Sequence, residues 1–303
     1  MSNLFGLSRQ RRLGARARIV QLLAVALMAA GLSVLQPAGA QALPSNHGIA
    51  SWNMQGSSQL GENIWFQITR LLQLKDRWGA PKIEVMALQE VGLVPDGTTG
   101  TGPISSFVVN ALWTGTPYSV AEYAWAASRR SPTYYIYYLG LKGDGHLNVA
   151  FVTRARVAAA DFRVIPPVPL ASGVTPAANR PMMGVRLDAT TFFWTGHARP
   201  EGFNGIPLGG NDADHMMDAI DASGQSAHWV FAGDLNREPK SLIAPGGSTT
   251  IWSKFATHQG GSVLDYVVTN DAPANLADYN VVVEKASGSD HWPISAGVGM
   301  VEG

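Results

Sequence analysis

Residues 229–239 read Trp-Val-Phe-Ala-Gly-Asp-Leu-Asn-Arg-Glu-Pro, an apolar run that passes directly into a polar segment. The run over residues 229–232 is typical of a buried strand. Asp234 and Asn236 follow it two positions apart, so in extended chain their side chains point the same way. The stretch therefore predicts a carboxylate and an amide placed together at the end of a strand.

A second polar segment, Ser289-Asp290-His291, lies near the C-terminus and supplies an adjacent acid and imidazole. Together with Asp234 and Asn236, it would provide the groups that bind a divalent cation and activate water against a phosphodiester. We therefore predict metal-assisted hydrolysis of a phosphoester by these two segments.

The first 40 residues differ in composition from the rest of the chain. They contain five arginines and no acidic residue, and residues 19–35 are mostly apolar. The small residues at 37–40 then complete the three-part pattern of a secretory signal peptide. An uncleaved membrane anchor is the alternative, but the Gly, Ser and Gln in the apolar run favour cleavage. We predict a signal peptide over residues 1–40, with export to the periplasm or beyond, and a single domain over residues 41–303.

The charge balance limits the classes of partner. The full chain has 22 basic and 22 acidic residues, and removal of the leader leaves 17 basic and 22 acidic residues, a net charge of −5. This excludes a general polybasic surface for nucleic acid, so contact with a polyanion must use a local patch. The chain has no cysteine, which excludes disulfides, a thiolate metal site and a covalent tether to a partner.

The pattern of apolar runs predicts many strands and few helices. An apolar stripe at Ile64, Ile68, Leu71 and Leu72 predicts one helix, residues 212–222 form a second candidate, and residues 107–113 form a weaker third. Segments 92–104 and 240–262 are rich in loop-forming residues. Many strands with few helices favour two stacked sheets with helices outside. The predicted strands lie within residues 49–54, 83–88, 134–141, 147–153, 182–187, 191–195, 229–232, 264–269, 281–284 and 293–298.

Further polar residues stand at the ends of these runs. Taken singly, Glu90 is typical of a solvated loop acid, His197 of a hydrogen-bonded structural histidine, and Asn53 of a turn residue. Asp265 lies inside an apolar run and needs a partner, because an unpaired buried carboxylate costs several kcal/mol. An imidazole is the expected partner of Asp265.

In their order and context, these groups resemble the endonuclease/exonuclease/phosphatase superfamily, which is related to pancreatic-type deoxyribonuclease I. Within it, the chain is most similar to the catalytic B subunits of cytolethal distending toxins. The Gly-Asp-x-Asn and Ser-Asp-His motifs are shared across the superfamily, whereas Trp-Asn-x-Gln-Gly and Asn-Arg-Glu-Pro resemble the toxin proteins. The likeness extends from about residue 47 to 298 and rests on residues 50–56, 87–90, 135–137, 147–150, 233–239, 264–266 and 289–293.

The resemblance implies a four-layer α/β sandwich, with two mixed sheets flanked by helices, as a single catalytic domain. It also implies Mg²⁺-dependent attack of water on phosphorus, with one or two ions and with Mn²⁺ or Ca²⁺ as supporting alternatives. Glu90 would bind the metal, with Asn53 and Asp290 close by, since Mg²⁺ prefers carboxylate, amide and water oxygens.

The same resemblance assigns the remaining roles. His291 would act as general base, oriented by Asp265, and His197 would meet the scissile phosphate. Asp234 and Asn236 would position water and phosphate oxygens.

Candidate substrate contacts also follow from the resemblance. Arg130 matches a phosphate-contacting arginine of the toxin family, and His146 stands where that family has another arginine. Arg237 would hold its loop or reach the substrate, and an ion pair with Glu238 or another loop acid is an equal alternative. Asn53 is also a candidate substrate contact.

Three functions follow as hypotheses. The preferred one is an exported genotoxin subunit that cuts DNA, acts in a host nucleus and is carried by separate, non-covalently bound delivery subunits. A phosphoinositide phosphatase using the same site is the alternative, motivated by the acidic balance and by His146. A non-catalytic secreted binding module is the third, and the complete set of acid, amide and imidazole groups argues against it.

Overall fold

The computed structural model describes residues 46–56, 62–75, 82–95, 102–141, 147–167, 180–200, 212–271, 279–286 and 288–300. The predicted signal peptide lies outside these ranges. Neither described helix has the length and hydropathy that crossing a membrane requires.

The described residues form two helices, α1 (Glu62–Leu72) and α2 (Asp212–Ala222), and fourteen strands. Short 3-10 helices cover Ala159–Asp161 and Pro239–Ser241. The strands are β1 (Ile49–Asn53), β2 (Val85–Gln89), β3 (Ser105–Asn110), β4 (Pro117–Trp125), β5 (Tyr134–Leu139), β6 (Val149–Thr153), β7 (Phe162–Ile165), β8 (Met182–Arg186), β9 (Thr191–Thr195), β10 (His228–Asp234), β11 (Thr249–Ile251), β12 (Asp265–Thr269), β13 (Tyr279–Val283) and β14 (Ile294–Val298).

Two mixed sheets contain these strands. The first has the order β13-β14-β1-β2-β6-β5-β4-β3, and the second has the order β11-β12-β10-β9-β8-β7. The pairs β1–β2 and β9–β10 are parallel, whereas the other paired strands are antiparallel. A parallel pair needs a long crossover, and the chain supplies α1 between β1 and β2 and α2 between β9 and β10.

Both sheets are buried on both faces around their centres. In β9, Phe193 belongs to the core between the sheets, whereas Phe192 and Trp194 belong to the outer core with α2. In β2, Ala87 faces the inner core and Leu88 the outer core with α1. The central strands are therefore continuously apolar, as strands covered on two sides are. The layers run helix, sheet, sheet, helix, and the predicted four-layer sandwich is confirmed.

The predicted helix over residues 107–113 is wrong. Residues 105–110 form β3, which pairs antiparallel with β4 at one edge of the first sheet. Phe107 and Val109 alternate with exposed Val108, so the period is two, and Phe107 packs against Phe162 across the inner core. The sequence prediction also missed β4, β7 and β11, whose polar or short segments lack a continuous apolar run.

His47 joins the two sheets at the end of β1 remote from the strand's carboxyl end. Its Nδ1 lies 2.9 Å from Glu84 Oε2 beside β2, and its Nε2 lies 2.6 Å from Asp188 Oδ2 in the β8–β9 turn. Burial alone would lower the pKa of His47, but the two carboxylates raise it. Burial likewise would raise the pKa of Asp188, but backbone hydrogen bonding at Thr190 and the His47 contact lower it.

These shifts predict a pH-dependent contribution to stability. The His47 contribution is complete below the unfolded pKa of about 6.5 and is lost as pH rises through the raised folded value. The Asp188 contribution is lost at the acid end, as pH falls through its lowered pKa. We expect Asp188→Asn to reduce the free energy of unfolding by about 1–2 kcal/mol near pH 6, and by less at pH 9, in urea denaturation. Asp218→Asn, at an exposed position of α2, is the matched control. An equal loss at both pH values would show that the charge on His47 does not matter.

Candidate active site

The carboxyl ends of the two parallel pairs meet at one edge of the sandwich. Asn53 ends β1 and is paired in register with Gln89 at the end of β2. In the second sheet, His197 follows β9 and forms an isolated parallel bridge with Asp234 at the end of β10. Each of these strands directs alternate side chains into the inner core, and Asn53, Gln89 and Asp234 continue that inward alternation. The inner face of each strand thus changes from apolar to polar at this edge.

A buried polar layer lies directly beneath the edge. Gln89 Nε2 donates to Thr195 Oγ1 at 2.7 Å and to Ser51 Oγ at 3.0 Å. Thr195 Oγ1 donates in turn to the Ala232 carbonyl at 2.9 Å. Ser51 and Gln89 belong to the first sheet and Thr195 to the second, so this network fixes the separation of the sheets under the site. The sequence analysis assigned no role to any of these three residues.

Asp234 is the centre of the site. Its Oδ2 accepts hydrogen bonds from Asn53 Nδ2 at 2.9 Å and from Asn236 Nδ2 at 3.1 Å. The same oxygen lies 3.3 Å from His197 Nε2 and 3.7 Å from His291 Nε2. Burial would raise the pKa of Asp234, but the charges of the two histidines and the hydrogen bonds lower it to about 2. The site therefore holds a buried, ionised carboxylate between two imidazoles.

The second imidazole has its own carboxylate. His291 Nδ1 lies 2.7 Å from Oδ2 of Asp265, which is 0% exposed. Thr257 Oγ1 accepts the Asp265 backbone N–H at 3.0 Å and so fixes the start of β12. Burial would lower the pKa of His291, but Asp265, Asp234 and Asp290 raise it to about 9. The predicted imidazole partner of Asp265 is therefore His291, and its Nε2 faces the site.

Glu90 reaches the site from a left-handed backbone conformation, with φ 49°. Such a conformation is strained for a residue with a β-carbon, and it turns the side chain away from the line of β2. Its Oε1 lies 3.3 Å from His197 Nδ1, which is buried and otherwise has no hydrogen-bond partner in the described structure. His197 thus lies between two carboxylates, Glu90 and Asp234.

Asp290 contacts the turn that follows β1. Gln55 Nε2 donates to Asp290 Oδ2 at 2.9 Å, and the Asp290 backbone N–H donates to Gln55 Oε1 at 3.1 Å. The neighbouring Gly56 N–H binds the Glu90 carbonyl at 2.8 Å. One turn therefore holds the backbones of both Glu90 and Asp290. Asp290 Oδ1 is a buried carboxylate oxygen that has no hydrogen-bond partner among the described residues.

His258 lies beside Asp290. The sequence analysis did not predict it as a site residue, because it falls in a segment predicted as loop. Its Nε2 lies 3.4 Å from Asp290 Oδ2, and its ring meets the His291 ring edge-on at 4.8 Å. His258 Nδ1 accepts the Gly260 N–H at 3.0 Å, so in the neutral ring Nε2 carries the proton. His258 is thereby arranged to donate to Asp290 rather than to ligate a metal through Nε2.

The carboxylates are suited to a hard divalent cation. Among the described residues, two groups of side chains come close enough to share an ion: His258, Asp290 and His291, and Asp234, Asp265 and His291. In the second group, His291 Nδ1 already contacts Asp265 and His291 Nε2 lies near Asp234, so these side chains are occupied by one another. The unsatisfied Asp290 oxygen and the Glu90 carboxylate offer the oxygen ligands that Mg²⁺ prefers.

The structure places the other predicted ligand differently. Asn53 Nδ2 donates to Asp234, and its Oδ1 accepts the Gln55 N–H at 2.9 Å. Both ends of the amide are thus used inside the protein. Asn53 therefore orients Asp234, and its metal and substrate contacts stay predictions. Asn236, with φ 48°, likewise binds Asp234 and lies 2.9 Å from His197 Nε2.

Two of the cations predicted to bind substrate, Arg237 and Arg130, lie within the described residues. Arg237 Nη1 donates to Asp214 Oδ2 of α2 at 3.0 Å, and Nε donates to Ser241 Oγ at 3.1 Å. Arg237 therefore pairs with an acid of helix α2, which is not one of the loop acids that the alternative named. Arg130 is exposed in the β4–β5 turn, where its N–H binds Ser128 Oγ. His146 lies outside the described residues.

The comparisons with known proteins agree with this geometry. The model of the Endonuclease/Exonuclease/phosphatase family matches residues 50–291. The chain belongs to this family. It is 28% identical over 279 residues to the B subunit of the cytolethal distending toxin of Escherichia coli, covering 84% of this chain and 93% of that protein.

Two further comparisons extend the likeness. The chain is 29% identical over 276 residues to a homolog of the same toxin protein from Salmonella typhi, covering 83% of this chain and 89% of the relative. The crystal structure of the Haemophilus ducreyi cytolethal distending toxin aligns with a TM-score of 0.59 at 24% identity, covering 84% of this chain and 98% of that chain. The solved structure shows the same fold, so family membership and fold are both established.

The polar layer under the site gives a stability prediction. Thr195→Val removes one of the two acceptors of Gln89 Nε2 and the donor to the Ala232 carbonyl, so we expect a loss of about 1–3 kcal/mol in the free energy of unfolding. Urea denaturation measures this loss, with Thr250→Val on half-buried β11 as control. If Thr195→Val is as stable as wild type, the layer does not fix the two sheets.

Proposed function

We propose that this chain is the catalytic subunit of an exported genotoxin of the cytolethal distending type, and that it hydrolyses DNA phosphodiester bonds with a divalent cation. The observation that carries this proposal is the approach of two imidazoles, His197 and His291, to one buried carboxylate, Asp234, at 3.3 and 3.7 Å. Similarity over about nine-tenths of two such toxin proteins supports the biological role.

His291 has the features of a general base. Asp265 holds its Nδ1 at 2.7 Å and fixes the tautomer that leaves Nε2 to exchange a proton with water. The imidazolium formed after proton transfer lies beside Asp265 and Asp234, which stabilise its charge. His291 therefore removes the proton from water as water attacks phosphorus. Asp265 orients it, as the acid orients the histidine of a hydrolytic triad.

His197 serves the opposite side of the reaction. Its ring lies between Glu90 and Asp234, and in its protonated form it can donate to a phosphate oxygen or to the leaving oxygen. Asn236, tied to Asp234 through both its backbone N–H and its Nδ2, holds an amide beside the same ring. Hydrolysis then proceeds in one displacement, without a covalent intermediate.

Glu90 and Asp290 are the residues that would hold the cation, and their hard oxygen atoms favour Mg²⁺. When bound, the cation supplies positive charge to the phosphate oxygens and offsets the acids that keep His291 protonated. Gln55 and His258 orient Asp290 by contacts at 2.9 and 3.4 Å.

Export and delivery belong to the same proposal. The leader over residues 1–40 would direct export, and the enzyme would act in the nucleus of a host cell. Delivery subunits would bind without a disulfide, because the chain has no cysteine.

Phosphoinositide phosphatase activity is the second candidate. The net charge of −5 without the leader favours a small phosphorylated substrate over a long polyanion. Release of inorganic phosphate from phosphatidylinositol trisphosphate should then depend on His197. Phosphate release that survives His197→Ala would argue against a shared site.

Nicking of supercoiled plasmid tests the nuclease. We expect purified protein to nick plasmid with Mg²⁺ and not with EDTA, and His197→Ala to lose roughly 100-fold or more of the rate, since general acid–base groups contribute on that scale. His228→Ala, at the opposite end of β10, is the control and should remain active. Folded wild-type protein that cuts no DNA at any Mg²⁺ concentration would refute the nuclease. Activity on neither DNA nor the lipid would favour a binding module.

Cation binding has a readout that does not need activity. A ligand at 100 times its Kd stabilises the folded state by about 2.7 kcal/mol, so Mg²⁺ should raise the unfolding temperature of wild type. Glu90→Gln removes one charged ligand and should lose most of this shift, whereas exposed Asp218→Asn should keep it. Equal Mg²⁺ stabilisation of Glu90→Gln and wild type would exclude Glu90 as a ligand.

A further inference from the structure

The two carboxylate oxygens of Asp290, one of the proposed cation ligands, have different surroundings. Gln55 Nε2 donates to Oδ2 at 2.9 Å, and His258 Nε2 lies 3.4 Å from the same oxygen. Oδ1 is buried, has no hydrogen-bond partner among the described residues and lies 3.9 Å from His291 Nε2. The protein therefore occupies one oxygen of Asp290, and the other oxygen lies beside a site imidazole.

Gln55 binds Asp290 at two points. In addition to the bond to Oδ2, Gln55 Oε1 accepts the Asp290 backbone N–H at 3.1 Å. The Gln55 backbone is left-handed, with φ 50°, and its N–H donates to Asn53 Oδ1 at 2.9 Å. Such a conformation is strained for a residue with a β-carbon, and it persists where neighbouring groups fix it. The amide of Gln55 is thus held in place and limits rotation of the Asp290 carboxylate.

His258 is held through its other ring nitrogen and through its backbone. Its Nδ1 accepts the Gly260 N–H at 3.0 Å, and its ring meets the His291 ring edge-on at 4.8 Å. His258 also forms an antiparallel bridge with His291, and the Gln259 N–H donates to the Asp290 carbonyl at 2.8 Å. These contacts keep the Nε2 donor of the neutral ring beside Asp290 Oδ2.

The number of free carboxylate oxygens affects which cation a site prefers. Mg²⁺ demands near-octahedral geometry, keeps several waters and binds through one or two carboxylates. Ca²⁺ takes more oxygen ligands and accepts both oxygens of one carboxylate. A site in which Asp290 offers a single oxygen beside Glu90 therefore meets the needs of Mg²⁺ better than those of Ca²⁺.

We propose that Gln55 and His258 are positioning residues that keep Asp290 Oδ2 out of cation binding and so make the site prefer Mg²⁺ to Ca²⁺. The inference rests on the proposed cation site at Glu90 and Asp290. It assigns the choice of cation to two donors that do not themselves bind the cation.

A purely structural role is the competing explanation, in which Gln55 and His258 only hold residues 289–291 in place. Loss of such a role would weaken the binding of both cations by the same factor. Loss of the positioning role changes the ratio of the two dissociation constants, because Mg²⁺ loses an ordered ligand while Ca²⁺ gains access to a second oxygen of Asp290.

Isothermal titration calorimetry of the metal-free, full-length protein measures the Kd for Mg²⁺ and for Ca²⁺ separately. Gln55→Asn shortens the side chain and tolerates the left-handed backbone, and His258→Phe keeps a ring against His291 without its nitrogens. We expect wild type to bind Mg²⁺ more tightly than Ca²⁺, and the reverse order would overturn the proposal. In the double variant, the Kd for Mg²⁺ should rise about tenfold or more, with that for Ca²⁺ unchanged or lower.

Gln259→Asn is the matched control. Gln259 Nε2 donates to the Ser289 carbonyl at 3.0 Å, so it binds the same segment through the backbone instead of the carboxylate. Its ratio of the two Kd values should equal that of wild type. An unchanged ratio in the folded double variant would overturn the proposal.

The single variants keep the test decisive if the double variant does not fold. Gln55→Asn and His258→Phe should each shift the ratio of the two Kd values towards Ca²⁺. A wild-type ratio in both single variants would leave only the structural role.

The failure of the proposed function would be visible separately. A wild-type protein that binds neither cation would overturn both this inference and the metal dependence of the proposed hydrolysis. If the ratio shifts as expected but wild type cuts no DNA, the positioning role stands and only the nuclease is refuted. If wild type nicks plasmid with Mg²⁺ and the ratio does not shift, the nuclease stands and the positioning role is overturned.

Discussion

The site depends on one buried carboxylate. Asp234 is 1% exposed and cannot be solvated by water, so its charge must be balanced by the protein. Two amides, Asn53 and Asn236, and two imidazoles, His197 and His291, provide this balance from both sheets and from the C-terminal segment. The carboxylate that these groups stabilise also holds the two imidazoles, each with its Nε2 within 3.7 Å of the same oxygen atom. We infer that this spacing is what permits one ring to take a proton while the other gives one.

The mixed topology explains how residues far apart in sequence reach Asp234. Each sheet contributes a parallel pair, and helix crossovers bring both carboxyl ends to the same edge. Along each strand, the inward positions are apolar in the middle and polar at this end. The layer of Ser51, Gln89 and Thr195 marks the transition and holds the sheets together beneath the site. Packing between the sheets and chemistry at their edge therefore use the same inward-facing rows of side chains.

Much of this arrangement could be predicted from the sequence, for identifiable reasons. Asp234 and Asn236 stand next to a strongly apolar run, and Asp265 lies inside one, so burial and pairing followed from the cost of an isolated charge. Edge strand β3 and its neighbour β4 were harder to predict, because both alternate weakly and carry polar residues on their exposed side. His258 gave no local signal, since its role arises only when distant loops meet. The partner of Arg237 was equally hidden, because Asp214 lies on a helix 23 residues earlier in the chain.

We propose that a divalent cation is held by Glu90 and Asp290, beside the two site imidazoles. The most direct measurement is paramagnetic broadening of histidine side-chain NMR signals as Mn²⁺ is added to the wild-type protein. His197 and His291 should broaden first, whereas His47 should stay sharp, because it lies beyond the opposite end of β1, a strand about 17 Å long. Loss of the His47 signal together with the other two, or no broadening at saturating Mn²⁺, would contradict the account.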